Sequence, residues 1–260
     1  MYTRYDGGKM YKNVELMFGD KLLRGVVRTP EGDGPFPCVC FYHGFTVDKV
    51  GMMRLHELWA RRCVAEGFAC VRFDFYGCGE SDGDFVEMRF FDELEEAKAI
   101  YHWAEKQPWA DPQNLFITGH SLGGAICSVI APVLQPRGVA LWAPGNTGYY
   151  DISKRANSVP GHYEEKYDIG GMYIAKEFLE QMQDFDIVAA SRGYKGKVLL
   201  VQGELDERIP VASIGPYLHM YGDQVESVII WGANHQFSSV AWKTQVYDVT
   251  IDYLKKQMVR

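Results

Sequence analysis

Leu115-Phe116-Ile117-Thr118-Gly119-His120-Ser121-Leu122-Gly123-Gly124-Ala125-Ile126-Cys127 passes from an apolar run, through a Gly-x-Ser-x-Gly pentapeptide, into small and apolar residues. Residues 115–118 read as a short buried strand and residues 122–127 as the start of a small-residue helix. A serine on a sharp strand-to-helix turn, with glycine on either side because a Cβ finds no room there, is the pattern of a nucleophile elbow. The same pentapeptide occurs at Gly79-Glu80-Ser81-Asp82-Gly83. That copy lies among glycines and acids that mark a loop, with no helix after it. Ser121 is therefore the candidate nucleophile, and Ser81 is a decoy.

Outward from this stretch, strand-like and helix-like segments alternate from about residue 37 onward, the pattern of a parallel sheet with crossover helices. Strands are predicted over 38–42, 68–73, 138–142, 198–202 and 227–231, and helices over 53–66, 91–106 and about 240–257. Val14 to Val27 is expected to form an antiparallel hairpin. Between Pro144 and about Lys195 the alternation breaks into some fifty residues rich in tyrosine, glycine and charge. The expected organisation is a core of residues 1–144 and 196–260, with residues 145–195 inserted as a cap over the strand ends.

The 260 residues suffice for one sizeable α/β core. A net charge of −7 with no basic stripe disfavours nucleic acid and makes a neutral substrate easier to admit. No apolar run approaches membrane-spanning length, so no membrane span is expected. The segment Met1 to Gly7 lacks the apolar stretch of a secretory signal, which makes the cytoplasm the default location. The six cysteines read as small buried hydrophobes. Cys38-x-Cys40-x-x-His43 supplies no closed tetrahedral set from a strand interior, so neither a metal nor another cofactor is expected.

Acyl transfer by serine needs a base, an acid to orient that base, and donors for the oxyanion. Asp206 follows the strand at 198–202 through a short turn, and His235 follows the strand at 227–231 through Gly232-Ala233-Asn234. Both are expected at the carboxyl end of the sheet, where sites of open parallel sheets lie. Glu204 and Glu207 compete with Asp206, which is favoured because it stands at the turn opening the next helix. Of the seven histidines, only His235 falls in a glycine-containing loop after the last strand. His56 and His102 read as helix residues, His120 as buried against the elbow, His219 as a helix-end residue, and His162 as a cap residue within reach of substrate. The backbone N–H groups of Leu122 and Phe45 are the expected oxyanion donors, the latter from the loop His43-Gly44-Phe45-Thr46.

With His43-Gly44-Phe45, Asp74-x-x-Gly77-x-Gly79-x-Ser81, Gly119 to Gly124, Gly203-x-x-Asp206 and His235 in this order, the chain resembles the α/β-hydrolase superfamily along nearly its full length. The resemblance implies a mostly parallel central sheet flanked by helices, and it makes the Asp74–Ser81 segment a structural loop, with Cys78 where many relatives carry histidine. More narrowly, His43-Gly44-Phe45-Thr46-x-x-Lys49, Phe73-Asp74-Phe75-Tyr76-Gly77 and the inserted segment look like bacterial cinnamoyl (feruloyl) esterases. That likeness implies hydroxycinnamate esters as small-molecule substrates, with Tyr149, Tyr150, Asp151, Tyr167 and Tyr173 as candidate contacts to the phenolic ring. Packing of the cap is the competing role for each of these tyrosines. An acylglycerol lipase, a general carboxylesterase or a thioesterase fits the same triad, because substrate choice lies in the cap. A peptidase is disfavoured by the lack of an acidic pair for a substrate amino terminus. A non-catalytic receptor on the hydrolase fold is the rival from another class, and a homodimer stays open.

Overall fold

Residues 3–6, 9–158, 162–163 and 165–259 are described in a computed structural model. Strands β1 (Thr3–Asp6), β2 (Lys9–Phe18) and β3 (Lys21–Glu31) form an antiparallel meander, with Gly19 at positive φ in the β2–β3 turn. The expected hairpin is thus the centre of a longer one. The chain continues through β4 (Phe36–Tyr42), α1 (Leu55–Ala65), β5 (Ala69–Phe73), α2 (Phe90–Glu105), β6 (Ala110–His120), α3 (Leu122–Leu134) and β7 (Gly138–Trp142). After β7 come α4 (Gly148–Ala156), a small antiparallel sheet of β8 (His162–Tyr163), β9 (Lys166–Asp168) and β10 (Tyr173–Ala175), then α5 (Lys176–Gln183) and α6 (Ile187–Ala190). The last elements are β11 (Val198–Gly203), α7 (Gly215–Tyr221), β12 (Val225–Ile230) and α8 (Val240–Gln257).

The main sheet runs β1-β2-β3-β5-β4-β6-β7-β11-β12, parallel from β5 to β12. Alternation within each central strand explains why both faces must be covered. Cys38, Cys40 and Tyr42 of β4 join one buried cluster while Val39 and Phe41 join the other, and Leu115 and Ile117 of β6 oppose Phe116 in the same way. A strand apolar on both sides needs helices on both sides. Helices α2, α3 and α7 cover the first face through residues such as Leu94, Ile126 and Tyr217. Helices α1 and α8 cover the second through Trp59, Cys63, Val246 and Leu254. All six cysteines are buried and unbridged, with Cys78 Sγ 3.9 Å from Met88 Sδ.

Several boundaries shift by a residue or two from the sequence reading, as where α1 starts at Leu55 rather than Met53, and two have a clear cause. β6 starts at Ala110 rather than Leu115, because its polar first half pairs with β4 through Phe36 and Ala110 across a register shift. Trp231 falls outside β12 and is 73% exposed, because Gly232 turns the chain at positive φ directly after it. Among the described residues no helix is long and apolar enough to cross a membrane.

Candidate active site

From β4 the chain goes to β5 on one side and later to β6 on the other, so the carboxyl ends of β4 and β6 meet at a topological switch point, where open parallel sheets bind ligands. β6 delivers Ser121 there. Its backbone has φ 58° and ψ −121°, a region costly for a side-chain-bearing residue. The surroundings hold it: Ser121 N–H donates to Trp142 O at 2.9 Å, and Gly145 N–H donates to Ser121 O at 2.9 Å. The flanking glycines are sterically required. A Cβ on Gly119 would lie 2.2 Å from Gly123 O, and one on Gly123 would lie 2.2 Å from Tyr42 O.

Ser121 Oγ lies 3.0 Å from His235 Nε2, and His235 Nδ1 lies 2.8 Å from Asp206 Oδ2. Since a carboxylate only accepts, Nδ1 carries the proton and Nε2 of the neutral ring accepts from the Ser121 hydroxyl. His235 and Asp206 are buried, so the pair is shielded from water. Asp206 is held by three further donors: Gln202 Nε2 at 2.9 Å on Oδ2, and the N–H groups of Arg208 at 2.9 Å and Ile209 at 2.8 Å on Oδ1. Glu204, its rival, accepts from Gly232 N–H at 2.8 Å, and Glu207 is exposed.

His120, next to the serine, donates from Nε2 to the His235 carbonyl at 2.8 Å. Burial first, then the neighbouring His235, push its pKa down to about 3, so it stays neutral and acts as a fixed donor. His43 is also buried with a lowered pKa, caused chiefly by burial. Its Nδ1 donates to Gly44 O at 2.9 Å, and its Nε2 accepts from Phe75 N–H at 3.1 Å, which sets the course of the loop carrying Phe45. Gly44 packs so closely that a Cβ there would lie 3.0 Å from Ser121 Cβ. The N–H groups of Phe45 and Leu122 have no acceptor among the described residues, and both residues line the cavity at Ser121. Leu122 is the first residue of α3, where an N–H has no intrahelical partner.

Ser81 has a different occupation. Its Oγ donates to Asp74 O at 2.7 Å and accepts from Arg24 N–H at 2.9 Å. Asp74 is fully buried and takes up the N–H groups of Lys49 and Glu80 and the Lys49 ammonium. A Cβ on Gly79 would lie 2.2 Å from Asp74 Oδ2. Gly79 makes room for the buried Asp74 carboxylate and Ser81 ties the main chain of Asp74 to that of Arg24, with no histidine bonded to Ser81 among the described residues.

Of the five proposed phenol contacts, the structure brings Asp151 alone to the Ser121 cavity. Tyr149 and Tyr150 line a neighbouring cavity of about 460 Å³ with Phe185 and Met220. Tyr167 packs against the core, and Tyr173 is 37% exposed with the Lys166 ammonium over its ring. The reason lies in α4, which turns residues 148, 151, 152 and 155 to the cavity and so carries 149 and 150 away. The side chain of His162 lies outside the described residues. Sequence reasoning missed Ile152, Arg155 and Arg208 at the cavity, although helical spacing from Gly148 would have found the first two.

A strained serine after a parallel strand, joined to a buried histidine and aspartate in that chain order, defines the fold and site of a serine hydrolase of the α/β-hydrolase class. The model of the X-Pro dipeptidyl-peptidase (S15) family matches residues 19–258, and the chain belongs to that family. In structure it is similar to Est1E from Butyrivibrio proteoclasticus, solved with ferulic acid bound, at a TM-score of 0.82 and 19% identity over 94% of this chain and 98% of that one. In sequence it is 34% identical over 107 residues to an uncharacterized 31.7 kDa Escherichia coli protein from the traX-finO intergenic region, covering 40% of this chain and 36% of that protein. It is 35% identical over 89 residues to the quorum-quenching protein AidA of Acinetobacter baumannii, covering 34% of this chain and 28% of AidA. The chain thus matches about a third of the length of these curated relatives.

Proposed function

We propose that this chain hydrolyses carboxylic esters through an acyl-enzyme on Ser121. The observation that carries the reading is the continuous chain from Ser121 Oγ to His235 Nε2, at 3.0 Å, and from His235 Nδ1 to Asp206 Oδ2, at 2.8 Å. His235 takes the hydroxyl proton as Oγ attacks the ester carbonyl, and the N–H groups of Phe45 and Leu122 receive the oxyanion. The imidazolium returns the proton to the departing alcohol. Water, deprotonated by the same ring, then releases the acid.

Residues 145–195 act as the cap in this reading. Phe178 of α5 is buried 5.6 Å from the Phe45 ring, and Ile152 of α4 lines the cavity, so the insertion forms the wall that meets the acyl or alcohol group. Hydroxycinnamate esters are the proposed substrates within the ester class. The fold likeness to Est1E, solved with ferulic acid bound, and the Phe45 ring at the cavity, packed from behind by Phe85 and Phe178, support them. Family membership favours a second reading, cleavage after an X-Pro dipeptide. Among the described residues, the one carboxylate at the cavity available for a substrate amino terminus outside the triad is Asp151, which is engaged 3.1 Å from Arg208.

Turnover of p-nitrophenyl butyrate, methyl ferulate, a monoacylglycerol, an acyl thioester and Gly-Pro-p-nitroanilide by one preparation ranks these readings. Ser121→Ala is expected to lose ester turnover by about 10⁴-fold or more. Ser81→Ala is expected to keep the chemistry while losing on the order of 1 to 3 kcal/mol of stability with its two hydrogen bonds. Undiminished turnover in Ser121→Ala refutes the assignment. Absence of labelling by a fluorophosphonate probe, together with no turnover, favours a non-catalytic receptor.

A further inference from the structure

The net charge of the chain is −7, yet the cavity at Ser121 is locally cationic. Besides the triad and neutral His120, its charged lining residues are Asp151, Arg155 and Arg208. Asp151 pairs with Arg208 at 3.1 Å, so one carboxylate faces two guanidinium groups and a net positive charge remains. The Arg155 guanidinium is half-buried and lies 5.3 Å from the centre of the ring of Phe45, which lines the same cavity. Its one described hydrogen-bond partner is Thr46 Oγ1, at a long 3.5 Å. No carboxylate among the described residues lies within ion-pair distance of it. Burial, and then the neighbouring Arg208, press its pKa downward, and the Asp151 carboxylate, one helical turn earlier, offsets this in part.

A guanidinium drawn partly out of water and left with its fork of donors open is a costly arrangement for packing alone, and a suitable one for a planar anion. We propose that Arg155, beside the Asp151–Arg208 pair, binds a carboxylate carried by the substrate, so that the preferred esters are anionic. This rests on the ester-hydrolase reading and narrows it, because the charge is placed beside the oxyanion loop. The same cation disfavours a substrate presenting a free ammonium group, as an X-Pro dipeptide does.

The test compares matched esters that place the carboxylate on either arm. On the acyl arm the pair is p-nitrophenyl hemiglutarate against p-nitrophenyl valerate. On the alcohol arm it is 4-(butyryloxy)benzoate against its methyl ester. The wild type is expected to favour the anionic member of at least one pair by about tenfold or more in kcat/KM, the effect of a charge-assisted bidentate contact. That preference should fall toward unity in Arg155→Met and persist in part in Arg155→Lys. Rising salt should shrink it. No anionic preference in either pair, or a preference unchanged in Arg155→Met, overturns the proposal. If no ester is turned over, the hydrolase reading falls separately, and calorimetric binding of monomethyl glutarate to Ser121→Ala decides this one. Binding weakened about tenfold by adding Arg155→Met supports it, and equal or absent binding in both overturns it.

Discussion

Asp206 shows how one side chain is fixed for a single task. With four donors on two oxygens, it has no freedom to turn away from His235, and Gln202, buried beneath it, is one of those donors. Asp206→Asn keeps the shape but presents an amide N–H to Nδ1, which forces the imidazole proton onto Nε2 and sets a donor against Ser121. A fall in kcat on the order of 10⁴ is expected, with a lowered melting temperature because the same amide also faces the Gln202 donor, measured by ester hydrolysis and calorimetry. Asp206 and His235 were legible in the sequence because each follows a strand by a short turn. Gln202 was not, because a glutamine at the end of an apolar strand declares no role until its partner is seen. The same holds for Arg155, whose place depends on which face α4 presents to the cavity.

At the scale of elements, α2 carries a burden the sequence pattern hides. Glu93 and Glu96 lie on its buried face, one turn apart. Glu93 Oε2 has no hydrogen-bond partner among the described residues, and burial drives the Glu93 carboxyl well above the usual range. Glu96 accepts from Tyr76 N–H at 2.9 Å, yet burial still raises its pKa to about 7. The folded state therefore binds more protons than the unfolded chain between pH 4.5 and about 7. Stability from this group is complete below that window and declines as pH rises through it. Glu96→Gln, which can still accept from Tyr76, is expected to exceed the wild type by up to about 3 kcal/mol at pH 8 and to converge with it near pH 4. Urea unfolding at both pH values measures this, and an equal difference at both would refute it. The element order itself was readable, since two-sided apolar strands and one-sided helices differ in period. The boundaries of β6 and β12 were not, because a register shift and a glycine turn decide them.

At the scale of the molecule, nucleophile, base and acid ride on strands of unequal security. β6 is clamped between β4 and β7, whereas β12, whose following loop carries His235, is the last strand of the sheet and pairs with β11 alone. Of its six residues only Ile230 is buried. An edge strand with one neighbour opens at lower free energy than a central one. The bond from His120 to the His235 carbonyl and the buried ring of Phe237 tie the loop back to the centre, so the base keeps its place through two local anchors. On heating, ester turnover is expected to vanish several degrees below the calorimetric transition and to return fully on cooling from that interval. Simultaneous loss of turnover and fold would contradict this. Loss that precedes unfolding and recovers on cooling would make the edge strand a reversible thermal fuse, one that releases the base while the strained serine and its donors remain assembled.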